Sequence, residues 1–284
     1  MEKGKNCAII GCGYVGKALA KFWTSLGFVA TCTTRKNKNL SNLKAITQKT
    51  MLLQGSDEAE IKLVLEQNDV IVVTVAADTI QDYKDAYLRT AQSIRHKAAE
   101  IRTPKILIYT SSASVYGDHQ GKWVDEKSPL LAESEQAKIL EETEKVYLSL
   151  AQLGWRVVIL RLGEIYGPNR DLATKVQHFQ GKVLPGKGSH FTNMIHLEDI
   201  IQGIHYSYQH NLQGIYNLAD DDHPTRKEFY DKICDHLGLS RVLWDANLAR
   251  LSRGNKRISN HKIKAAGYEF IHPHRVLHIE PTKA

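Results

Sequence analysis

Asn6-Cys-Ala-Ile-Ile-Gly-Cys-Gly-Tyr-Val-Gly16 decides how this chain folds. The stretch opens as a short apolar run suited to a buried strand, then spaces its glycines as Gly11-x-Gly13-x-x-Gly16. Val15, Ala18, Leu19, Phe22 and Leu26 follow at helical spacing, with Lys17 and Lys21 on the opposite face. Gly27 stands where a helix C-cap favours glycine, and Phe28 to Thr33 is a second strand-like run. Strand, glycine loop, helix and strand make a βαβ unit in which each glycine has a task. The first permits a tight turn, the second lets backbone approach a pyrophosphate, and the third lets helix and strand pack closely. The helix N-terminus then offers free N–H groups and the positive end of its dipole to the phosphates. Gly11, Gly13, Tyr14, Val15 and Gly16 are therefore expected to hold a dinucleotide.

The end of the second strand indicates which dinucleotide. Binding of the unphosphorylated adenine ribose calls for Asp or Glu about 20 residues beyond the loop. No carboxylate occurs between Glu2 and Asp57, and the expected position reads Thr33-Thr-Arg-Lys36. A guanidinium there can make charge-assisted hydrogen bonds to a 2′-phosphate, and a neighbouring ammonium adds to the attraction. Thr34, Arg35 and Lys36 thus point to NADP(H). Asp69 to Ala77 is a further apolar run, and Ala76 and Ala77 at its end are expected to meet the same cofactor.

Strands and helices alternate through the first half of the chain, which predicts an α/β fold with a doubly wound parallel sheet. Strands are expected at Met51–Gln54, Lys105–Thr110 and Arg156–Leu160, and helices over 82–102 and 133–153. Beyond Pro168 the alternation stops, and helices near 197–209 and 225–238 suggest a smaller C-terminal substrate lobe. The expected division is 1–166 for the Rossmann domain and 167–284 for the lobe, with about 195–219 returning to the first.

The 284 residues are 42% hydrophobic and 24% charged, with net charge +7. No apolar run approaches the roughly 20 residues of a membrane span, and the first residues lack a signal-peptide core, so a cytoplasmic protein is expected. The positive charge is spread along the chain without an RNA-binding signature or zinc finger, which argues against nucleic acid and for anionic small molecules. Cys7, Cys12, Cys32 and Cys234 have neither paired spacing nor a histidine grouping, so no metal is expected. Cys7 and Cys32 are expected to be buried, whereas oxidation of Cys12 within the glycine loop would block the cofactor. The oligomeric state stays open between monomer and homodimer.

Ser111-Ser-Ala-Ser-Val-Tyr-Gly117, Arg161-Leu-Gly-Glu-Ile-Tyr-Gly-Pro168, Asn193-Met-Ile-His-Leu-Glu-Asp-Ile200 and Tyr216-Asn-Leu-Ala219 widen the pattern. Together they resemble the extended short-chain dehydrogenase/reductase superfamily of nucleotide-sugar epimerases and dehydratases, nearly end to end. Within it the chain is similar to the atypical YeeZ-like subgroup that lacks the active-site tyrosine. The resemblance implies a Ser, a Tyr and a Lys at the site. Ser112 matches the serine that donates to the substrate oxygen, and Lys138 matches the lysine that holds the nicotinamide ribose. Four residues before Lys138 stands Ser134 in place of the tyrosine. A serine hydroxyl ionises far above a phenol's pKa of about 10, so it is a poor acid or base at neutral pH. Tyr116 is the first substitute phenol and Tyr166 the second, with His190 and His196 as imidazole alternatives, His196 being expected to be structural. The expected catalytic group is Ser112, Lys138, Ser134 and Tyr116. Two functions stay open. One is an NADP(H)-dependent oxidoreductase or epimerase/dehydratase-like enzyme on a small polar metabolite, and the other is an inactive NADP(H) sensor working through a partner.

Overall fold

The computed structural model describes residues 5–47, 49–77, 79–248 and 254–277. Seven strands form the main sheet: β1 (Asn6–Ile10), β2 (Val29–Thr34), β3 (Lys49–Leu52), β4 (Val70–Val73), β5 (Ile106–Ser112), β6 (Arg156–Leu162) and β7 (Gly214–Leu218). Their order is β7-β6-β5-β4-β1-β2-β3. β1 runs parallel to β2 and β4, β2 to β3, and β4 to β5. Parallel neighbours need crossover connections, and helices α1 (Tyr14–Ser25), α2 (Glu58–Gln67), α3 (Thr90–Ala98) and α4 (Glu135–Leu148) lie in four of them, with a short helix at Leu40–Lys44 between β2 and β3. Strands covered on both faces must be apolar throughout. Val70–Val73 accordingly are at most 1% exposed, and each such side chain contributes about 1.5–3 kcal/mol by leaving water. The expected doubly wound α/β fold is what the chain adopts.

Local chemistry sets several element ends away from their expected places. The buried face of α1 is Val15, Gly16, Leu19, Ala20 and Trp23, while Leu26, expected in the stripe, is 50% exposed beyond the helix end. The segment expected as one helix over 82–102 begins with a π-helical turn at Lys84–Arg89 before α3. α2 lies outside the expected helices; Asp57 caps it by accepting the Glu60 N–H. α4 ends at Leu148, tightens into a 3-10 turn at Ser149–Leu153, and stops at Gly154 with φ +78°.

Contacts divide the described residues into two compact units. One lies within Met1–Val115, Glu133–Arg161 and Ile201–Tyr216, the other within Tyr116–Ala132, Leu162–Ile200 and Asn217–Ala284. The partition is more interleaved than a boundary near 166. Tyr116–Ala132 joins the second unit because Trp123–Val124 pairs with Arg257–Ile258 and the His119 N–H donates to the Asn255 carbonyl at 3.0 Å. That unit has its own core, including Tyr166, Val176, Met194, Phe229 and Ile233. Two further helices are α5 (Leu197–Gln209) and α6 (Arg226–Leu237). Thr225 and Glu228 form a capping box at the start of α6, and Gly238 ends it with φ +64°.

In the first unit a buried ion pair ties α4 to the ends of two strands. Glu144 and Arg161 are 2% and 3% exposed. Arg161 donates through Nη2 to Glu144 at 2.7 Å and through Nε to both carboxylate oxygens at 3.1 Å, and the Ser111 hydroxyl donates to the same carboxylate at 2.6 Å. Removing one partner strands a buried charge. Glu144→Ala is expected to destabilise the protein by about 3–5 kcal/mol in denaturant titration, and Glu144→Leu with Arg161→Met to recover much of that loss. A single Glu144→Ala variant as stable as the parent contradicts this.

Candidate functional site

The order of the sheet reverses between β1 and β4, and open α/β sheets bind ligands at the carboxyl ends of strands at such a point. The glycine loop leaves β1 there. Gly11 has φ +89°, and a Cβ on it would lie 2.7 Å from the Val75 Cα. A Cβ on Gly16 would lie 2.6 Å from the Thr74 hydroxyl and 3.0 Å from the Gly11 carbonyl. Gly13 differs: a Cβ there would meet nothing nearer than the Gly11 carbonyl at 4.0 Å. Packing requires the first and third glycines, while the second keeps an exposed surface free of side chain. The N-terminus of α1 carries neither a side-chain cap nor an acidic residue in its first turn. Exposed backbone beside a helix N-terminus of this kind fits a pyrophosphate.

Two residues that sequence reasoning passed over hold the loop in place. Thr33 accepts the Gly11 N–H on its side chain at 3.2 Å and the Cys12 N–H on its carbonyl at 2.8 Å. Thr74 donates to the Gly11 carbonyl at 2.9 Å. Their only signal is position, a hydroxyl at or just past the end of an apolar run. Of the predicted loop residues, Tyr14 is half-buried and Val15 is buried under the helix. Cys12 is 2% exposed, and its bond with the Cys32 thiol together with burial holds its pKa well above the ordinary value. A thiol buried in this way is shielded from oxidants, which argues against a redox role for Cys12. All four cysteines are buried and free.

At the end of β2, Arg35 donates to the Ala76 carbonyl at 3.0 Å. The guanidinium is thereby held between the ends of β2 and β4, with Lys36 exposed beside it. Thr34 is turned into the protein, and its hydroxyl accepts the Lys36 N–H at 3.2 Å. The Ala77 backbone hydrogen-bonds the Tyr87 phenol, which burial and the adjacent Tyr83 push up to about 12. Tyr83 and Tyr87, with ring centroids 4.7 Å apart, are neighbours of the cofactor segment that strand-and-loop motifs gave no means of finding.

The expected catalytic residues have diverse placements. Ser112 ends β5, is half-buried, and accepts the Ser114 N–H at 3.2 Å. Ser134 is the N-cap of α4, its hydroxyl accepting the Ala137 N–H at 3.2 Å. Lys138 is exposed one turn further along. Tyr116, expected as the substitute proton donor, is fully buried and donates to the Asn217 side chain at 2.8 Å. Asn217 in turn donates to the Ser259 carbonyl and, through its backbone, to Glu126. Tyr116 is thus a strut in the second unit, and this corrects its expected role. Tyr166 is 2% exposed, with its phenol pushed up to about 12 by burial and the Asp220 carboxylate. Both phenols are withdrawn from solvent.

The chain matches the NAD dependent epimerase/dehydratase family over residues 7–219. It is 32% identical over 279 residues to protein YeeZ of Escherichia coli (strain K12), covering 95% of this chain and 97% of that one. A functionally unknown conserved protein from Silicibacter pomeroyi DSS superposes with TM-score 0.77 at 24% identity over 95% of both chains. The NAD complex of Thermus thermophilus UDP-glucose 4-epimerase does so with TM-score 0.76 at 15% identity over 93% of both chains. These two structures share the fold. The chain belongs to the NAD dependent epimerase/dehydratase family, whose members bind a nicotinamide dinucleotide.

Ser134 offers a direct test of its capping role. Ser134→Ala is expected to cost about 0.5–2 kcal/mol of stability, and Ser134→Asp to retain it, in parallel thermal melts. An alanine variant that melts with the parent rules the cap out as its function.

Proposed function

We propose that this chain is an NADP(H)-dependent oxidoreductase or epimerase/dehydratase-like enzyme of the cytoplasm. Its substrate would be a small polar metabolite, such as a nucleotide sugar or a phosphorylated compound. The observation that carries the cofactor preference is the anchored guanidinium of Arg35 at the end of β2, with no carboxylate in the chain between Glu2 and Asp57. A guanidinium carries five N–H donors in a planar fork whose geometry matches a 2′-phosphate. Gly11, Gly13, Gly16 and the start of α1 would hold the pyrophosphate, and Lys138 the nicotinamide ribose.

When bound, the dinucleotide supplies hydride transfer. The chain's own contribution begins with Ser112. Its oxygen accepts the Ser114 N–H, and no acceptor among the described residues takes its O–H, which can therefore donate to a substrate oxygen. Proton transfer at that oxygen would pass through solvent, because Ser134 caps a helix and Tyr116 and Tyr166 are buried. Those three placements also favour the second reading, a sensor of NADP redox state that binds the dinucleotide and acts through a partner.

NADPH is expected to bind at least tenfold more tightly than NADH in a fluorescence titration, a difference of about 1.4 kcal/mol. Arg35→Asp should narrow or reverse the preference, since it removes the phosphate partner and supplies an acceptor for a ribose diol. Equal affinities in the parent protein overturn the assignment. Enzyme and sensor separate in a turnover assay that follows NADPH absorbance with a panel of sugar nucleotides and phosphorylated carbonyl compounds. For an enzyme, Ser112→Ala lowers kcat by about 10²–10³. For a sensor, no compound oxidises NADPH, yet Lys138→Ala still weakens its binding.

A further inference from the structure

The second unit brings together three metal-binding side chains that the sequence keeps apart. His196 closes the short strand Met194–His196, Glu198 lies in the first turn of α5, and His272 comes 74 residues after Glu198. One nitrogen of each histidine and one oxygen of Glu198 lie within 4.8 Å of one another. His272 Nε2 is 2.9 Å from Glu198 Oε2, and the two imidazole centroids are 3.9 Å apart. We propose that His196, Glu198 and His272 form a site for a divalent transition-metal ion of the zinc type.

Burial and hydrogen bonds hold the backbone around the ligands. His196 is 4% exposed and is paired through its strand with Tyr166. Asp199, the next residue after Glu198, is fully buried and accepts the Ile271 N–H at 2.7 Å, the His272 N–H at 3.0 Å and the Tyr268 hydroxyl at 3.2 Å. Asp199 thereby fastens the backbone of His272 to the same helical turn that carries Glu198. Ligands held before the ion arrives lose little freedom on binding it.

The donor set selects the ion. Two imidazoles and one carboxylate suit zinc, cobalt, nickel or copper, whereas calcium and magnesium take oxygen cages. Glu198 is 54% exposed on its side chain and His272 16%, so the group opens to solvent on one side. Three protein ligands with an open position for water is the arrangement of an exchangeable zinc site. The helix N-terminus opposes a cation with the equivalent of about half a positive charge, and the carboxylates of Glu198 and Asp199 in that turn counter it. An ion on His196 Nδ1 would replace a long bond from the Glu198 N–H at 3.3 Å. The near-neighbour cysteine and histidine spacings of common zinc motifs are absent here, which is why the sequence by itself gives no sign of a metal.

The experiment uses the full chain, stripped of metal and without nucleotide, titrated with Zn²⁺ against a chromogenic chelator and, separately, with Co²⁺. The expected result is one Zn²⁺ per chain with Kd below about 10 µM, visible Co²⁺ d–d absorption, and a rise in Tm with Zn²⁺. Glu198→Gln and His272→Ala replace the two more exposed ligands, and each should weaken binding at least tenfold. Metal-free melts establish that each variant is folded. Sub-stoichiometric binding, or stoichiometric binding that neither folded variant weakens, overturns the site.

Discussion

The dinucleotide loop depends on backbone approaching backbone at the carboxyl ends of β1, β2 and β4. Gly11 has no room for a side chain against Val75, its N–H is taken by Thr33, and its carbonyl is taken by Thr74. One residue is thereby held from both neighbouring strands. The position of every later atom in the loop follows from it, including the open face at Gly13 and the start of α1. The loop presents polar backbone there because the sheet order reverses beside it, leaving no neighbouring crossover to cover that edge.

Buried charge provides a second constraint, met separately in each unit. Glu144 with Arg161 holds α4 against the ends of β5 and β6, one residue before Ser112. In the other unit Arg275, 4% exposed on its side chain, donates to Asp220 at 2.9 Å and to the Thr192 hydroxyl at 2.6 Å. Charges removed from water are tolerated only when partners occupy their hydrogen-bonding positions. Both arginines are multiply bonded, so each fixes the register of several segments together. Ser112 follows directly on Ser111, whose hydroxyl belongs to the first of these networks.

Two hydroxyls expected at the catalytic site are engaged elsewhere. Ser134 satisfies an N–H that the first turn of α4 would otherwise leave without an intrahelical partner, and Tyr116 links to Asn217 and through it to Ser259 and Glu126. The family fold has been kept, and within it Ser134 and Tyr116 serve the structure.

Residues 6–35 alone determined the βαβ unit, because glycine spacing and helical periodicity are local and backbone geometry leaves few alternatives. The basic pair at the end of β2 was legible for the same reason: Arg35 and Lys36 follow the strand directly, and no carboxylate stands nearby. The apolar runs of β4 and β5 likewise announced a parallel sheet covered on both faces. The structure alone decided the burial of Tyr116, the capping by Ser134, the threonines that grip Gly11, and the meeting of Glu198 with His272. Each depends on contacts between residues distant in the chain or on which way a side chain turns at a helix end. Local pattern specifies an element's face and period, whereas the partner of a polar side chain is set by which elements packing brings together.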